Sequence, residues 1–429
     1  MNTSMMIWVM VALPIALMLA GFPIFTVLFA AASVAMIYVL DMPLGLIQTE
    51  LFGSVDNYNL IAVPFFIFAG AIMTQGGISE RLVNWVLALM GGLRGSLGLA
   101  TVGACTLFGA ISGSSPATVA AIGGMLYPSL REKGYPESVA SGLLTSSGAI
   151  AGIIPPSIGL ILYGVAAEES IRYLFIGGIL PGLLIAALMG GYIYFTARRL
   201  GIREGGQFSL AQVGRTTRIG GWALGMPLII LGGIYSGVFS PTEAAGVACL
   251  YSMFVAIIVY RDLSLAGLWK VAIESATLTA QVLIIVGAAT LFSRLLTIAG
   301  VPQALVAFIQ SQEFSPFVIM LAINILLLIV GCVLDPASAI LVLAPILKPV
   351  IVAAGIDPVH FGIVMTVNLS IGMFTPPFGL NIFVTQALFQ VPLSTLYRGL
   401  MPLIGVNILA LAIITYWADL TLVLVRLLG

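Results

Sequence analysis

The sequence predicts an all-α polytopic membrane protein with an inverted-topology repeat, in which each half carries a re-entrant helical hairpin and a Pro-Pro interrupted span. Of its 429 residues, 60% are hydrophobic and only 7% are charged, with a mean hydropathy of +1.17. A soluble domain carries about 25% charged residues. A pattern of small, polar and helix-breaking residues also occurs twice: Pro116 has its counterpart at Pro336 and Pro155 at Pro376, so the offset is constant to within one position.

Apolar stretches long enough to cross a bilayer recur from one end of the chain to the other. A window of high hydropathy gives the position of each span to within a few residues. The predicted full-length spans are 5–20, 22–40, 56–76, 171–197, 221–239, 242–260, 272–298 and 398–427.

Two further apolar stretches have the wrong length for simple spans. The whole stretch between Arg94 and Arg131 carries no charge. As one helix it would be about 54 Å long against a core of about 30 Å, whereas two complete spans need about 40 residues plus a turn. We therefore predict a re-entrant hairpin at about 95–130, and a second one at about 314–348, where Asp335 is the only charge before Lys348.

Each hairpin has a predicted helix start at its tip. Ser115-Pro116 and Asp335-Pro336 each place an oxygen-bearing N-cap residue before a proline in the first helical turn. The unpaired N–H groups and the positive dipole end of each new helix then point at the tip. Such backbone is tolerated at membrane depth only when it is buried in protein or lines an aqueous cavity.

Two segments, about 137–167 and 358–389, each carry a Pro-Pro pair with glycines nearby. Proline removes a backbone donor and its ring clashes with the preceding helical turn. We predict that these segments are interrupted spans beside the hairpins. Broken helices at matching positions of two repeats indicate a binding site at the repeat interface of a secondary transporter.

The distribution of charge predicts the orientation of the two halves. Five arginines lie in or beside the segment 201–220, and the positive-inside rule makes this segment a basic cytoplasmic linker. The loop 41–50 carries two acidic residues, whereas its counterpart 261–270 carries two basic residues and one acidic residue. We therefore predict inverted repeats at 1–200 and 221–429; Lys348 and Arg426 are exceptions to the charge rule.

Composition also excludes several classes of protein. The net charge is zero, so the chain offers no basic face for nucleic acid. The three cysteines show no paired spacing, which argues against a disulfide framework or a thiolate metal site. A single histidine, His360, cannot build a multi-histidine site. The segment from Met1 to Ala20 lacks a signal-peptide pattern and is predicted to be a retained span.

The motifs resemble those of the large membrane subunit of the TRAP (tripartite ATP-independent periplasmic) transporters, over essentially the whole chain. The most specific run extends from Gly109 to Gly123. The other motifs are Ser146-Ser147-Gly148, Ile154-Pro155-Pro156-Ser157-Ile158, Pro241-Thr242-Glu243-Ala244-Ala245, Leu334-Asp335-Pro336 and Thr375-Pro376-Pro377-Phe378-Gly379.

This resemblance implies a sodium-driven, elevator-type importer of an organic anion such as a C4-dicarboxylate or sialic acid. It also implies a periplasmic substrate-binding protein that delivers the anion and a small four-helix membrane subunit that packs beside the large one. Because Met1 leads directly into the first span, the small subunit is expected to be a separate chain. The implied location is the bacterial cell inner (cytoplasmic) membrane, in contact with lipid.

At the first tip, hydroxyl groups and free backbone carbonyls predict a Na⁺ site, because hard cations favour oxygen ligands. Unwound carbonyls coordinate the coupling ion in broken-helix transporters. The alternative is that these residues only cap the break and allow close packing. The candidate ligands are Ser112, Ser115, Thr118, Ser147, Gly148 and Gly152.

At the second tip, Asp335 is the strongest candidate for a second Na⁺ site. A carboxylate at mid-bilayer costs about 2.5–3.5 kcal/mol on insertion scales, which indicates a bound ion, a proton or a helix N-terminus as its partner. The alternative is a cap without any ion. The remaining candidates that supply oxygens here are Ser338, Asn368, Ser370, Gly372 and Thr375.

The substrate is expected between the two tips, where helix N-termini converge and favour an anion. No arginine is predicted at mid-membrane, with Arg294 near a span end as the only exception, so hydroxyl and backbone donors are expected to bind the substrate. The candidate lining residues are Ser114, Ser115, Thr145, Ser146 and Asn381.

Three other functions remain as alternatives. A standalone sodium/carboxylate symporter would need neither partner, and a channel would conduct without a strict need for sodium. An intramembrane protease would need a general base beside a hairpin serine, or two facing carboxylates. The only histidine lies at an interface in the other half, and Asp335 is the only carboxylate at hairpin depth, so catalysis is not expected.

Overall fold

A computed structural model of the chain describes Met6, residues 8–202 and residues 208–428. Within this part of the chain all regular structure is helical and no strand occurs, which confirms the predicted all-α class. The helices of the first half are α1 (Trp8–Leu19), α2 (Ile24–Val39), α3 (Leu44–Val55), α4 (Tyr58–Gln75), α5 (Ile78–Met90), α6 (Ser96–Ser112), α7 (Ser115–Glu132), α8 (Glu137–Gly148), α9 (Ile158–Ala166) and α10 (Ile171–Arg199).

The second half repeats this order, except that one long helix stands where the first half has α3 and α4, and that a short last helix has no counterpart. Its helices are α11 (Leu210–Tyr235), α12 (Pro241–Val259), α13 (Leu265–Ile298), α14 (Val301–Ser311), α15 (Pro316–Gly331), α16 (Pro336–Ala353), α17 (Pro358–Gly372), α18 (Leu380–Phe389), α19 (Leu393–Tyr416) and α20 (Asp419–Leu428). By length and composition, seven of the described helices could cross a membrane: α4, α10, α11, α12, α13, α16 and α19.

Backbone details repeat at the spacing seen in the sequence. Helices α2 and α12 both end in a π-helical turn, at Ala35–Val39 and Val255–Val259. Each turn is followed by a non-glycine residue of positive φ, Asp41 at 51° and Arg261 at 60°. These two residues are separated by the same offset as Pro116 and Pro336. The two halves therefore share one fold.

The two halves also exchange packing partners. The pairs α6–α7 and α15–α16 form the predicted hairpins, and α8–α9 and α17–α18 form the interrupted segments. Helix α9 of the first half packs against α16 of the second, and α18 of the second half packs against α7 of the first. The broken segments of one repeat thus support the hairpin of the other.

Several element boundaries differ from the predictions. The predicted span 398–427 is wrong as one helix: α19 ends at Tyr416, and the amphipathic α20 starts at Asp419. Its exposed Asp419 and Arg426 form an ion pair at 2.9 Å, so this end of the segment stays polar. The predicted loop 41–50 contains the start of α3, because Pro43 presets a helix start.

The remaining differences concern helix starts. Helix α11 begins at Leu210, capped by the Ser209 hydroxyl, so much of the predicted linker 201–220 is helical. Helix α13 begins at Leu265, earlier than the predicted 272. Helix α14 was not predicted, since its 11 residues are too few for a span. Residues 5 and 7 of the first predicted span and residues 203–207 of the linker lie outside the described residues.

Candidate functional site

The first tip is a buried cluster of hydroxyl groups. Gly113, at φ 58°, lets the chain reverse between α6 and α7. The Ser112 and Thr118 hydroxyls lie 3.1 Å apart, and Thr118 also donates to the Ser114 carbonyl at 2.8 Å. Ser112, Ser115 and Thr118 are all buried. This tip therefore gathers Ser112, Ser114, Ser115 and Thr118 into one polar centre.

Asn381 connects the second repeat to this centre. It lies in the first turn of α18, and its amide nitrogen donates to the Ser115 hydroxyl at 2.7 Å and to the Thr145 carbonyl at 3.1 Å. Its side-chain oxygen is buried and has no hydrogen-bond partner among the described residues. The Thr145 hydroxyl pairs with Thr385, one turn further along α18, at 2.7 Å. The starts of α7 and α18 therefore meet at Ser115 and Asn381.

The first interrupted segment lies directly behind the tip. A Cβ atom on Gly148 would lie 3.3 Å from the Ser115 carbonyl oxygen, and one on Gly152 would lie 2.6 Å from the Ser370 hydroxyl of α17. Glycine at these positions brings the two interrupted segments and the tip into contact. The Ser147 hydroxyl is buried there and has no hydrogen-bond partner within the described part of the chain, whereas the Ser146 hydroxyl donates to the Gly142 carbonyl of its own helix.

The second tip is capped by Asp335. One carboxylate oxygen accepts from the Ser338 N–H at 3.0 Å, and the other accepts from the Ser338 hydroxyl. Val333 in this tip is 52% exposed, so the second tip is more open than the first. A cavity of about 220 Å³ borders it, lined in part by Asp335, Met373 and Phe378.

Asn368 of α17 belongs to a buried amide network rather than to an observed contact with Asp335. Its amide nitrogen donates to the Asn324 side-chain oxygen of α15 at 2.8 Å, and Asn324 donates to the Thr415 hydroxyl at 3.0 Å. The Asn368 side-chain oxygen is buried, and no described residue forms a hydrogen bond with it. The Thr375 hydroxyl donates to the Ile371 carbonyl within its own turn.

Backbones touch at equivalent places in the two halves. A Cβ atom on Gly372 would lie 2.4 Å from the Gly331 carbonyl carbon, where α17 and α15 end. In the first half, a Cβ atom on Gly109 would lie 2.6 Å from the Ala151 Cα. Each hairpin is therefore pressed against its neighbouring interrupted segment without side chains between them. Free carbonyls at the broken ends stay close together as a result.

The buried oxygens at these breaks fit a hard cation. The unpartnered buried atoms there are oxygens of Ser147, Asn368 and Asn381, and the surrounding groups are hydroxyls and carbonyls. Oxygen ligands of this kind suit alkali and alkaline-earth cations rather than softer metals. Among the described residues no cluster of three or more His, Cys, Asp or Glu side chains exists.

Sequence reasoning missed three polar partners: Asn324, Thr385 and Ser157. The Ser157 hydroxyl caps α9 and donates to the Gly152 carbonyl. Asn324 is the only amide in the apolar stretch 316–331, which could have marked it, since polar groups in spans need partners. Thr385 lies one turn after Asn381, on the same face of the helix, and helical periodicity could have marked it.

The comparison with known families decides the identity. Residues 11–420 match the family described as "Tripartite ATP-independent periplasmic transporter, DctM component". The chain belongs to this family. It is therefore a multi-pass membrane subunit of a tripartite transporter, as the resemblance of its motifs predicted.

This chain is similar to proteins whose names state different substrates. It is 43% identical to the C4-dicarboxylate TRAP transporter large permease protein DctM of Pseudomonas aeruginosa, over 89% of each chain. It is 42% identical to the ectoine/5-hydroxyectoine large permease protein UehC of Ruegeria pomeroyi, over 92% of this chain and 94% of that one. It is 39% identical to the isethionate permease protein DctMQ of Oleidesulfovibrio alaskensis, over 93% of this chain and 63% of that one.

A solved structure shares the fold of this DctM component. The Alcanivorax borkumensis YdaH transporter, described as having an unusual topology, matches with a TM-score of 0.64 at 14% identity, over 87% of each chain. An experimental structure therefore shares the helical fold of this chain.

Two ion pairs supply partners for Lys348 and Arg294, two basic residues whose partners were not predicted from the sequence. Lys348 of α16 pairs with Glu169 at 2.7 Å and donates to the Ala167 carbonyl at the end of α9. Arg294 of α13 pairs with Glu50 of α3 at 3.1 Å. Arg294, considered as a counter-ion for the substrate, is therefore already neutralised by a carboxylate outside the two tips.

Proposed function

We propose that this chain is the large subunit of a sodium-coupled importer of an organic anion, working by elevator-type alternating access in the bacterial inner membrane. The chain contributes the two hairpins and the two interrupted segments as the part that holds ion and substrate. The observation that best supports this proposal lies at the first tip. There, helix starts meet beside buried oxygens that have no hydrogen-bond partner among the described residues.

The convergence supports anion binding. The N-terminal turns of α7 and α18 meet at Ser115 and Asn381. Gly113 lies against the break before α9, since its Cβ would lie 2.8 Å from the Pro156 carbonyl oxygen and 3.3 Å from the Ile158 backbone nitrogen. Helix N-termini present free N–H groups and a positive dipole end, which favour a carboxylate or sulfonate. Ser114, Thr145, Ser146 and the neighbouring hydroxyls would line the substrate.

The unpartnered oxygens support a cation beside that anion. We propose that Ser147, with Ser112, Ser115, Thr118, Gly148 and Gly152, holds one Na⁺ at the first tip. Asp335, with Ser338, Asn368, Ser370, Gly372 and Thr375, holds a second at the other tip. Bound Na⁺ supplies the positive charge that no arginine provides at the tips, and so couples the anion to the sodium gradient.

The substrate is an organic anion of small size. The relatives named above carry a C4-dicarboxylate, an ectoine and isethionate in their names, although their identities to this chain are similar. Overall similarity of the large permease therefore does not fix the substrate. We propose that the acidic group common to these compounds binds at the helix starts.

The partners follow from the tripartite family. The chain spans 63% of the DctMQ relative, whose name joins M and Q in one protein. We propose that a small four-helix membrane subunit packs beside this chain. A soluble periplasmic protein then delivers the substrate to the outer face.

Reconstitution tests this function. Proteoliposomes that contain this chain, its small subunit and the binding protein are expected to accumulate the substrate only under an inward sodium gradient, with a potassium gradient as the control. The scan covers a C4-dicarboxylate, isethionate and ectoine. Uptake by this chain alone would identify a standalone symporter, and sodium-independent conductance would identify a channel.

A matched pair of serines tests the first ion site. Ser147→Ala removes the unpartnered hydroxyl, whereas Ser141→Ala removes a buried hydroxyl of the same helix that already donates to the Glu137 carbonyl. We expect Ser147→Ala to raise the half-saturating sodium concentration for uptake about tenfold, the effect of about 1.4 kcal/mol of lost binding. Ser141→Ala is expected to leave it unchanged. An equal sodium dependence in both variants would exclude Ser147 as a ligand.

A further inference from the structure

A surface cavity of about 330 Å³ lies between α5 and the first turns of α11, away from both tips. Its volume falls in the range of small-ligand sites, about 300–1,000 Å³. The polar side chains that line it are Arg81, Asn84, Gln212, Arg215 and Thr216. No carboxylate is among the lining residues that the structure describes, so the two arginines make the cavity suited to an anion.

The two arginines differ in how they are engaged. Arg81 pairs with Asp262 at 2.6 Å, and its guanidinium carbon lies 3.8 Å from the centre of the Tyr260 ring. Arg215 has no ion pair with any described residue, and Arg218 follows it by one turn on the same helix. Arg81 is thus held in place with its charge compensated, while no carboxylate of the described residues forms an ion pair with Arg215.

The cavity lies at a boundary between polar and apolar helix surface. Helix α11 carries Arg215 and Arg218 in its first turns and no charge at all from Ile219 to Tyr235. Ile219, which lines the cavity, is 50% exposed, and Trp222 one turn further on is 48% exposed. Aromatic and basic residues at such a transition are typical of the membrane–water interface.

The walls of the cavity are held by contacts of α11 with α5 and with Tyr260, which follows α12. The Trp85 indole of α5 donates to the Thr217 hydroxyl of α11 at 2.9 Å. The Tyr260 hydroxyl, whose ring supports Arg81, donates to the Ile219 carbonyl at 3.2 Å. A ligand therefore meets a preformed pocket, which reduces the entropy cost of binding.

We propose that this cavity binds the phosphodiester headgroup of an anionic membrane phospholipid on the cytoplasmic side. Arginine matches a phosphate by its planar fork of donors, and the side-chain amides of Asn84 and Gln212 supply further donors. Basic pockets between helices on the cytoplasmic side are suited to lipid headgroups. The exposed apolar face of α11 below Ile219 then accommodates the acyl chains, which a soluble phosphate lacks.

Titration of the purified chain in detergent, followed by native mass spectrometry, tests the proposal. The probes are palmitoyl-oleoyl phosphatidylglycerol, the zwitterionic phosphatidylcholine with the same chains, and soluble glycerol 3-phosphate. We expect one phosphatidylglycerol to bind in preference to phosphatidylcholine. Arg215→Gln is expected to weaken this binding about fivefold, the effect of about 1 kcal/mol per basic side chain near an anionic lipid.

Arg94→Gln is the matched control, because Arg94 is also an exposed arginine but is not among the residues that line this cavity. It is expected to leave phosphatidylglycerol binding unchanged. An equal loss in both variants, or none in either, would overturn the proposal. Arg215-dependent binding of glycerol 3-phosphate as tight as that of the lipid would assign the cavity to a soluble phosphate and overturn the lipid assignment. The thermal unfolding midpoint of each variant verifies that it is folded.

Discussion

Asp335 is a helix N-cap, and we propose that it is also a Na⁺ ligand; its negative charge distinguishes the two roles. As an N-cap it accepts from the Ser338 N–H and hydroxyl, and an asparagine oxygen could replace it in that role. As an ion ligand it needs the negative charge. Its cost at mid-bilayer, about 2.5–3.5 kcal/mol, exceeds the stabilisation of about 1 kcal/mol that a cap provides.

The comparison of Asp335→Asn with Asp335→Ala separates these roles. We expect Asp335→Asn to retain the wild-type unfolding midpoint and to lose at least about 90% of sodium-dependent uptake, because a missing ligand charge costs more than about 1.4 kcal/mol. Asp335→Ala is expected to lose uptake and some stability, with membrane insertion intact. Uptake by Asp335→Asn at the wild-type rate would leave Asp335 as a cap only.

At this scale the sequence predicts residue types better than partners. Ser112, Ser114, Ser115 and Thr118 form one cluster because they are local to one turn, which the sequence shows directly. The contact of Asn381 with Ser115 joins residues 266 positions apart, and no local pattern encodes it. Asn368 is predicted beside Asp335, yet its amide bonds to Asn324, because the α15–α17 packing brings that amide within 2.8 Å.

At the scale of elements, the contact of α15 with α17 depends on the absence of a side chain. Gly372→Ala would place a Cβ atom 2.4 Å from the Gly331 carbonyl carbon, and backbone on both sides leaves little room to adjust. Overpacking of this kind costs about 1–3 kcal/mol.

We expect Gly372→Ala to lower the unfolding midpoint in detergent and to reduce uptake. Gly405→Ala in α19 is the control, because no atom lies within 4 Å of the added Cβ. Alanine there is expected to be neutral or to stabilise by about 0.5–1 kcal/mol, since glycine has greater freedom in the unfolded chain. Equal midpoints for the two variants would contradict the observed close approach.

An ion pair joins the second hairpin to the first repeat. Lys348 lies between Glu169 and the carbonyl end of α9, and both side chains are less than one-third exposed, at 29% and 21%. A cation at a helix C-terminus is favourable in addition to its ion pair.

Charge reversal tests this joint. Lys348→Glu and Glu169→Lys are each expected to lower the unfolding midpoint, and the double exchange is expected to restore the pair energy of about 1 kcal/mol. Recovery should be partial, because the glutamate would then face the carbonyl end of α9. Full additivity of the two losses would show that the pair contributes nothing. High salt should weaken the coupling only slightly, since the pair is half-buried.

At the scale of the whole molecule, the sequence predicts the duplicated plan through its spacing. The Pro-Pro pairs and tips recur at one nearly constant offset because both halves need the same breaks, and the structure repeats even the π-helical turns. Hydropathy and charge did not predict the residue at which each helix starts. Helix propensity and capping decide this locally, as at Leu210, which follows the capping residue Ser209. No local sequence pattern predicts that α9 packs against α16 and α18 against α7, since these contacts join helices that are far apart in the sequence.

Accessibility labelling tests the inverted orientation. Glu132 and Ala353 lie at equivalent ends of α7 and α16, and both are exposed. In a background without the three native cysteines, Glu132→Cys is expected to react with a membrane-impermeant thiol reagent only from the cytoplasmic side. Ala353→Cys is expected to react only from the periplasmic side. Labelling of both from the same side would refute the inverted arrangement.

The exchange of α9 and α18 has a consequence for synthesis in the cell. Asn381, which donates to Ser115 at the first tip, is translated 266 residues later. At a translation rate of about 5–20 residues per second, this interval lasts roughly 15 to 50 s. During that time the first hairpin lacks α18, the helix that packs on α7. The polar first tip must therefore be shielded from lipid by other means until most of the chain has been translated.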